Sequence, residues 1–311
     1  MPSPRDHRIV RAAAISAAAV LLAVAGSTGA GRAADLRTAH GGSASNIYVM
    51  TLGTRRLTRL TNNRASEDNQ LAYDPGWSPD GRRIAFVEIP CHACASAIHV
   101  IRARPTRAKR LGRTLAIGSH PRFSPDGGRI AFVGANGGIY VMRADGSRRR
   151  LLVKNGIADD SPSWSPDGKK IVFTQQETAT QWRLYVISVN GSHLRPLATG
   201  TAPALNPAWS PDGRTIAYAA QRRLQWHIYT VSVDGRRRRR LSHGRGSDTY
   251  PVWSPSGRRL AFVRQEQLST AVYTMNARGD DARRLTPRWL AAVQPAWAPA
   301  QKIAFAATRP G

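Results

Sequence analysis

The sequence predicts an all-β fold, a six-bladed β-propeller built of four-stranded antiparallel blades. Three observations carry this. An aromatic-Ser-Pro-Asp-Gly motif recurs six times, with successive aromatics 46, 41, 45, 44 and 44 residues apart. A second motif recurs equally often: a strand of the form Ile-Tyr-Val, a turn, and a basic strand ending in Leu or Leu-Thr. The 27 Gly and 20 Pro among 311 residues suit many turns rather than long helices. A period of ~40–45 residues with four short strands per unit is the signature of a propeller.

The elements follow in order. Arg5, Arg8 and Arg11 precede an apolar run from Ala12 to about Gly26, and small residues follow through Ala34. A basic flank, a short apolar stretch and small residues are the parts of a secretory signal. Residues 1–33 are therefore expected to be an export signal, cleaved after Ala33 or Ala30 or else retained as an N-terminal anchor. The run is shorter than the ~20 apolar residues of a transmembrane helix. Residues 34–45 are a short linker, 46–308 the propeller and 309–311 a tail. The mature chain should be extracytoplasmic, periplasmic or secreted, with no transmembrane segment, and a monomer is expected.

The first motif reads Trp77-Ser78-Pro79-Asp80-Gly81, then Phe123 to Gly127, Trp164 to Gly168, Trp209 to Gly213, Trp253-Ser254-Pro255-Ser256-Gly257 and a worn Trp297-Ala298-Pro299-Ala300. Each copy precedes a run such as Ile84-Ala85-Phe86. Pro presets φ at the first central turn position, Asp tolerates the second, and Gly follows with φ > 0. The second motif starts at Ile47, Ile98, Ile139, Leu184, Ile228 and Val272. Short alternating runs of this kind are strands, so each repeat supplies strands a, b, c and d. The chain opens on a c–d pair and closes on an a–b pair. The last blade is thus completed by N- and C-terminal strands.

The Pro-x-Trp-Ser-Pro-Asp-Gly-x-x-Ile-Ala-Phe pattern, with Ile-Tyr and Asp-Gly and a closing Leu-Thr, resembles the repeat of TolB-like β-propellers. The resemblance spans roughly residues 46–308. It implies an exported six-bladed ring that serves as a protein-interaction platform. In the TolB envelope protein an α/β domain precedes the propeller, and the dozen residues between signal and first strand leave no room for one. Similar propellers precede peptidase domains in prolyl-oligopeptidase-like enzymes, and no chain remains here for a hydrolase domain.

Lys+Arg number 46 against 19 Asp+Glu, a formal charge of +27. The signal accounts for three units, leaving +24. Most cations fall at the a–b and c–d turns and on the outer strands, including Arg148, Arg149, Arg150 and the run Arg236, Arg237, Arg238, Arg239 and Arg240. The acidic residues outside Asp-Gly turns, among them Glu67, Asp68, Asp74, Glu88, Asp159, Asp160, Glu177, Asp248 and Glu266, are expected on the opposite loops. The ring would then be electrostatically two-sided. Outer-strand Arg discourages sheet-edge pairing and favours solubility. It also suits contact with an anionic cell-surface polymer. Specific nucleic-acid recognition is not expected, because no stacking platform or reading helix accompanies the charge.

Cys91 and Cys94, the only cysteines, are expected to form a local disulfide in an oxidising compartment. A redox or metal role lacks its usual context. Trp182, Trp226 and Trp289 lie outside the repeat motif, and with Glu67, Asp68, Asp159 and Asp160 they mark a candidate partner-binding mouth. No nucleophile elbow, zinc motif, P-loop or dinucleotide fingerprint is present. The function expected is a non-catalytic binding scaffold for an envelope or secreted protein, or for an anionic surface polymer, with no cofactor and no catalytic or metal residues. The alternative is a channel-centred carbohydrate lyase or hydrolase using acid pairs such as Asp159 and Asp160.

Overall fold

The structure is a computed structural model and describes residues 44–63, 71–90, 94–104, 113–154, 157–244, 246–267 and 269–308. The expected export signal and tail, with Glu67, Asp68 and Cys91, lie outside the described residues. Every regular element among those described is a strand. β1 (Asn46–Thr51) and β2 (Leu57–Arg59) open the chain. β3 (Leu71–Trp77), β4 (Arg83–Ile89), β5 (Ala97–Arg102), β6 (Ala116–Phe123), β7 (Arg129–Gly134), β8 (Ile139–Arg143) and β9 (Arg150–Val153) form one seven-stranded antiparallel sheet. Only two residue pairs, Ala97 with Ile117 and Ile98 with Ala116, join β5 to β6.

Three separate four-stranded sheets follow in sequence order. They are β10 (Ala158–Trp164) to β11 (Lys170–Gln176), β12 (Trp182–Ser188) and β13 (Arg195–Pro196); β14 (Ala204–Trp209) to β15 (Thr215–Arg222), β16 (Gln225–Ser232) and β17 (Arg238–Arg240); and β18 (Asp248–Trp253) to β19 (Arg259–Gln265), β20 (Thr270–Asn276) and β21 (Arg283–Arg284). The fourth has the order β2-β1-β23-β22, with β22 (Ala291–Ala298) and β23 (Lys302–Thr308) drawn from the other end of the chain. β1 and β23 pair over six residues, from Asn46 with Ala307 to Thr51 with Lys302. The first strands of the repeats contact one another in the cyclic order β3, β6, β10, β14, β18, β22 and back to β3. The fold is a β-propeller.

The repeat motifs explain how neighbouring sheets hold. In the Ser-Pro-Asp-Gly turn, Gly81 N–H donates to the Ser78 carbonyl at 2.9 Å, and Gly81 takes φ +66°. The Ser78 hydroxyl receives Arg83 N–H, and Asp80 receives Arg82 N–H. In the worn sixth copy Ala300 and Gln301 adopt φ +59° and +54° without a glycine. The indole N–H of Trp77 donates to the Ala296 carbonyl, that of Trp164 to Arg122, and that of Trp253 to Ala208. Each of these bonds reaches back to the preceding innermost strand. The closing Leu-Thr has its own reason: Thr61, Ser242 and Thr286 hydroxyls receive the N–H groups of Ile47, Ile228 and Val272.

Cross-strand aromatic pairs fill each sheet's face. Phe132 meets Tyr140, Phe173 meets Tyr185, Tyr218 meets Tyr229, Phe262 meets Tyr273, Tyr48 meets Phe305 and Phe86 meets His99, with ring centroids 5.5–6.2 Å apart. Such pairs contribute ~0.5–1.5 kcal/mol beyond their area. The b-strand partners are essentially fully buried, so the aromatics of the repeat serve sheet packing.

One expectation is corrected here. Asp74, Asp159, Asp160 and Asp248 do not lie on exposed loops. They belong to β3, β10 and β18 and are 0–3% exposed. The innermost strand begins several residues before the Trp-Ser-Pro motif, so its polar residues sit inside the ring.

Candidate functional site at the propeller axis

Every innermost strand breaks register at the same place. Between Tyr73 and Gly76, Ser119 and Arg122, Asp160 and Ser163, Leu205 and Ala208, Thr249 and Val252, and Val293 and Ala296, one extra residue intrudes into the ladder. Each bulge contains a proline: Pro75, Pro121, Pro162, Pro207, Pro251 or Pro295. Proline cannot donate to a ladder and is confined to edges and bulges. The residue before it takes a left-handed φ of 49–54° in all six cases. That residue is Asp74, His120, Ser161, Asn206, Tyr250 or Gln294. A non-glycine residue in this conformation costs about 1–3 kcal/mol and persists only where its surroundings enforce it.

These six side chains form a polar ring at the axis. Gln294 Oε1 receives Asp74 N–H at 3.0 Å, and the Asn206 amide donates to the Ser161 hydroxyl at 3.2 Å. His120 lies between two carboxylates: its Nε2 is 3.3 Å from Asp74 and its Nδ1 is 2.9 Å from Asp160. All three side chains are at most 5% exposed. Tyr250 reaches Gln294, and the charge of Arg122 acts on both carboxylates.

The electrostatics follow from burial against pairing. Burial pushes the Asp74 carboxyl up, more than His120 and Arg122 pull it down. Burial would also raise Asp160, but His120 and the Ser161 N–H outweigh it and hold it below the usual carboxylate range. Burial would lower His120, yet Asp160 and Asp74 together raise it. The axis therefore holds a compensated cluster in which proton affinity is displaced in both directions.

The other acidic residues are also engaged. Asp248 makes a two-point bond to Arg264 at 2.7 and 2.9 Å, and the Gln175 amide donates to Asp159 at 3.1 Å. Glu177 accepts the Tyr185 hydroxyl and faces Arg183, and Glu266 accepts the Tyr273 hydroxyl and pairs with Arg284. Glu88 lies 3.5 Å from His99. The expected bare acidic face is thus replaced by local pairs.

The proposed mouth residues separate. Trp226 is 3% exposed in the apolar core, Trp182 packs half-buried against that same cluster, and Trp289 is 48% exposed. Asp159 and Asp160 are inside the ring, so these residues do not share one open surface. Cys94 carries no free thiol. No group of three or more metal-ligating side chains that could hold an ion occurs among the described residues.

On the opposite side Arg148, Arg149 and Arg236 to Arg239 are exposed, while Arg240 is half-buried and donates to the Ser242 carbonyl. Many of the cations also stitch neighbouring repeats. Arg83 and Arg129 lie over the Phe123 and Trp164 rings at 5.2 and 5.0 Å. Arg150, Arg195 and Arg239 donate to the carbonyls of Val189, Val233 and Arg278 in the next repeat.

Sequence reasoning missed the axial ring, although its signal was present. Of the positions in polar-Pro-x-aromatic, the first is always polar yet never the same residue twice.

Comparison with known proteins agrees with this architecture. A TolB beta propeller domain model matches residues 65–199 and again 174–311. No curated protein matches the sequence. A TolB-designated structure from Agrobacterium tumefaciens superposes with a TM-score of 0.73 at 23% identity, covering 87% of this chain and all of that one. TolB from Acinetobacter baumannii gives 0.59 at 19%, covering 82% of this chain and 66% of its own. An oligogalacturonate lyase from Vibrio parahaemolyticus gives 0.55 at 12%, covering 86% and 97%. The repeats, the ring of innermost strands and the family match together place this chain in the TolB beta propeller domain family.

Proposed function

We propose that this protein is an exported, non-catalytic binding scaffold: a six-bladed ring that presents a cationic rim to an envelope protein or an anionic surface polymer. The blade count treats the seven-stranded sheet as two blades bridged by two residue pairs. It is supported by the six bulges, the six aromatic pairs and the cyclic order of innermost strands. Export rests on the N-terminal pattern of residues 1–33. Among the described residues no helix is long and apolar enough to cross a membrane.

One observation carries the binding reading. Among the described residues the buried carboxylates are spent on internal partners, and although Arg129, Arg236, Arg259 and Arg283 pair with turn aspartates, other rim cations such as Arg150, Arg195 and Arg239 bond neutral carbonyls and keep their net charge. A rigid surface with an uncompensated field attracts anionic partners and speeds their encounter. The test is capture from an envelope extract on the immobilised full chain at low and high salt. Release of the bound material at high salt is expected for a polymer, and retention of one protein identifies a specific partner. Capture of nothing above a control propeller at either salt would remove the proposal.

A second reading is favoured by the axis itself. Perturbed acid–base groups cluster at functional sites, and Asp74 and His120 are both displaced upward. Since a superposable neighbour is an oligogalacturonate lyase, incubation with oligogalacturonides distinguishes the two. Appearance of an unsaturated uronate product, absent with His120→Gln, would establish the enzyme.

A further inference from the structure

The rim is not uniform. Between the repeat that contains β7 and β9 and the next, which contains β11 and β12, lies an open cleft of about 680 Å³. Arg129, Arg150, Asp167, Lys169, Lys170 and Asn190 line it. Four cations and one carboxylate line it, and Asp126 stands 3.8 Å from Arg129 just outside the lining, so a local excess of two positive charges remains. The chain has only five lysines, and two of them are adjacent here. Asp167 is committed elsewhere: the Ser165 hydroxyl donates to it at 2.6 Å and the Lys169 backbone N–H at 3.0 Å. These bonds hold it ionised, so it does not compete as a proton donor.

The two guanidiniums are fixed before any ligand arrives. Arg150 donates one N–H to the Val189 carbonyl at 2.6 Å. Arg129 donates one to the Gly168 carbonyl at 3.3 Å while lying over Trp164. Each anchoring bond uses a single donor of a five-donor group, leaving the remaining N–H edges for a ligand. Anchoring of this kind removes part of the side-chain entropy that binding would otherwise cost. No ammonium hydrogen bond or ion pair of Lys169 or Lys170 occurs among the described residues.

We infer that this inter-repeat cleft binds a phosphate group. A guanidinium fork matches phosphate oxygens in pairs, and an ammonium adds a compact charge beside it. A phosphate monoester carries about −1.5 to −2 near neutral pH, a better match to an excess of two than a single carboxylate. Arg148 and Arg149 extend the positive surface from the cleft edge, which suits a ligand bearing further phosphates. The inference deepens the binding-scaffold reading, since the ligand is held and not transformed.

Pyrophosphate titrated into the full chain by calorimetry tests it without any protein partner, so its failure leaves the envelope-capture experiment standing. Two double variants separate a site from a diffuse field: Lys169→Gln/Lys170→Gln in the cleft, and Arg236→Gln/Arg237→Gln in the most basic run. Both remove two charges from exposed positions. Saturable binding is expected, weakened about tenfold or more by the first pair and less than about twofold by the second. Equal weakening by both pairs, or no saturable binding by the unsubstituted chain, overturns the inference. Flotation with phosphatidylglycerol vesicles identifies the source. Flotation lost in Lys169→Gln/Lys170→Gln assigns the cleft to a lipid headgroup. Pyrophosphate binding without flotation assigns it to a soluble phosphate.

Discussion

The axis and the rim treat charge in opposite ways. At the axis His120 stands between Asp74 and Asp160, and the whole cluster is buried. At the rim Lys169, Lys170 and the guanidiniums of Arg129 and Arg150 crowd one cleft and outnumber the nearby carboxylates of Asp167 and Asp126. The difference follows from solvent. An unpaired buried charge costs several kcal/mol, so every axial charge must find a partner. An exposed cation is hydrated and screened, so it can remain available for a ligand. The six left-handed residues before proline are all at the axis, where the packed strands enforce them.

The largest way to break this comparison is to open the ring. β23 lies between β1 and β22 in the closing sheet, so deleting residues 295–311 removes the strand that joins both ends. The truncated chain should lose cooperative unfolding in denaturant, and axis and rim should be lost together. Retention of the full-length transition would contradict closure.

Next comes His120→Ala, which leaves Asp74 and Asp160 facing each other. Loss of about 3–5 kcal/mol is expected, as for a broken buried ion pair. Lys169→Gln/Lys170→Gln should stay within about 0.5 kcal/mol of the parent. Urea unfolding of both variants measures the gap, and equal effects would erase the distinction between the regions.

The axis should also make stability depend on pH where the rim does not. The folded-state value of His120 is raised, so its charge stabilises the protein fully below about 6.5, the ordinary histidine value. That contribution is lost as pH rises through the elevated value. Ionisation of Asp74, pushed up by burial, subtracts further stability as pH rises above the ordinary carboxylate range. Asp160, held low, contributes above that range and stops contributing as pH falls through its folded value. Thermal stability should therefore decline upward from about pH 6.5, and His120→Gln should lose the part of that decline that His120 carries. An unchanged profile in the variant would mean that His120 does not carry the charge.

The smallest effect sharpens how the repeats hold one another. Trp164→Phe keeps the ring under Arg129 but removes the indole bond to the Arg122 carbonyl. About 1 kcal/mol should be lost, read as a shift of the urea midpoint with no change in slope. A change in slope would indicate that the bond controls cooperativity as well as stability.

Much of this molecule was legible as repetition. Turn residues, strand runs and the aromatics of the Trp-Ser-Pro motif recur because each repeat solves the same local problem, as the turn at Ser78 to Gly81 shows. The c–d entry and a–b exit made the pairing of β1 with β23 readable as well. The acidic residues misled for a definite reason. Asp74, Asp160 and Asp248 lie upstream of the obvious motif and read as loop, but the innermost strand extends back past the proline bulge to include them. Trp226 read as an exposed aromatic, and Ile228, Leu260 and Phe262 enclose it in one apolar cluster.

By itself the sequence determined the repeated strand-and-turn unit, its approximate period, the closure of the ring and the excess of basic charge. These depend on local backbone preference and on hydrophobic alternation, which act within a few residues. Only the tertiary structure decided which charges meet. Asp74 and Asp160 are 86 residues apart in the sequence and share one imidazole, while Arg129, Arg150 and Lys170 gather from two adjoining repeats into one cleft. Electrostatic pairing acts through space at a few ångströms, and the closed ring is what brings such distant residues within that range.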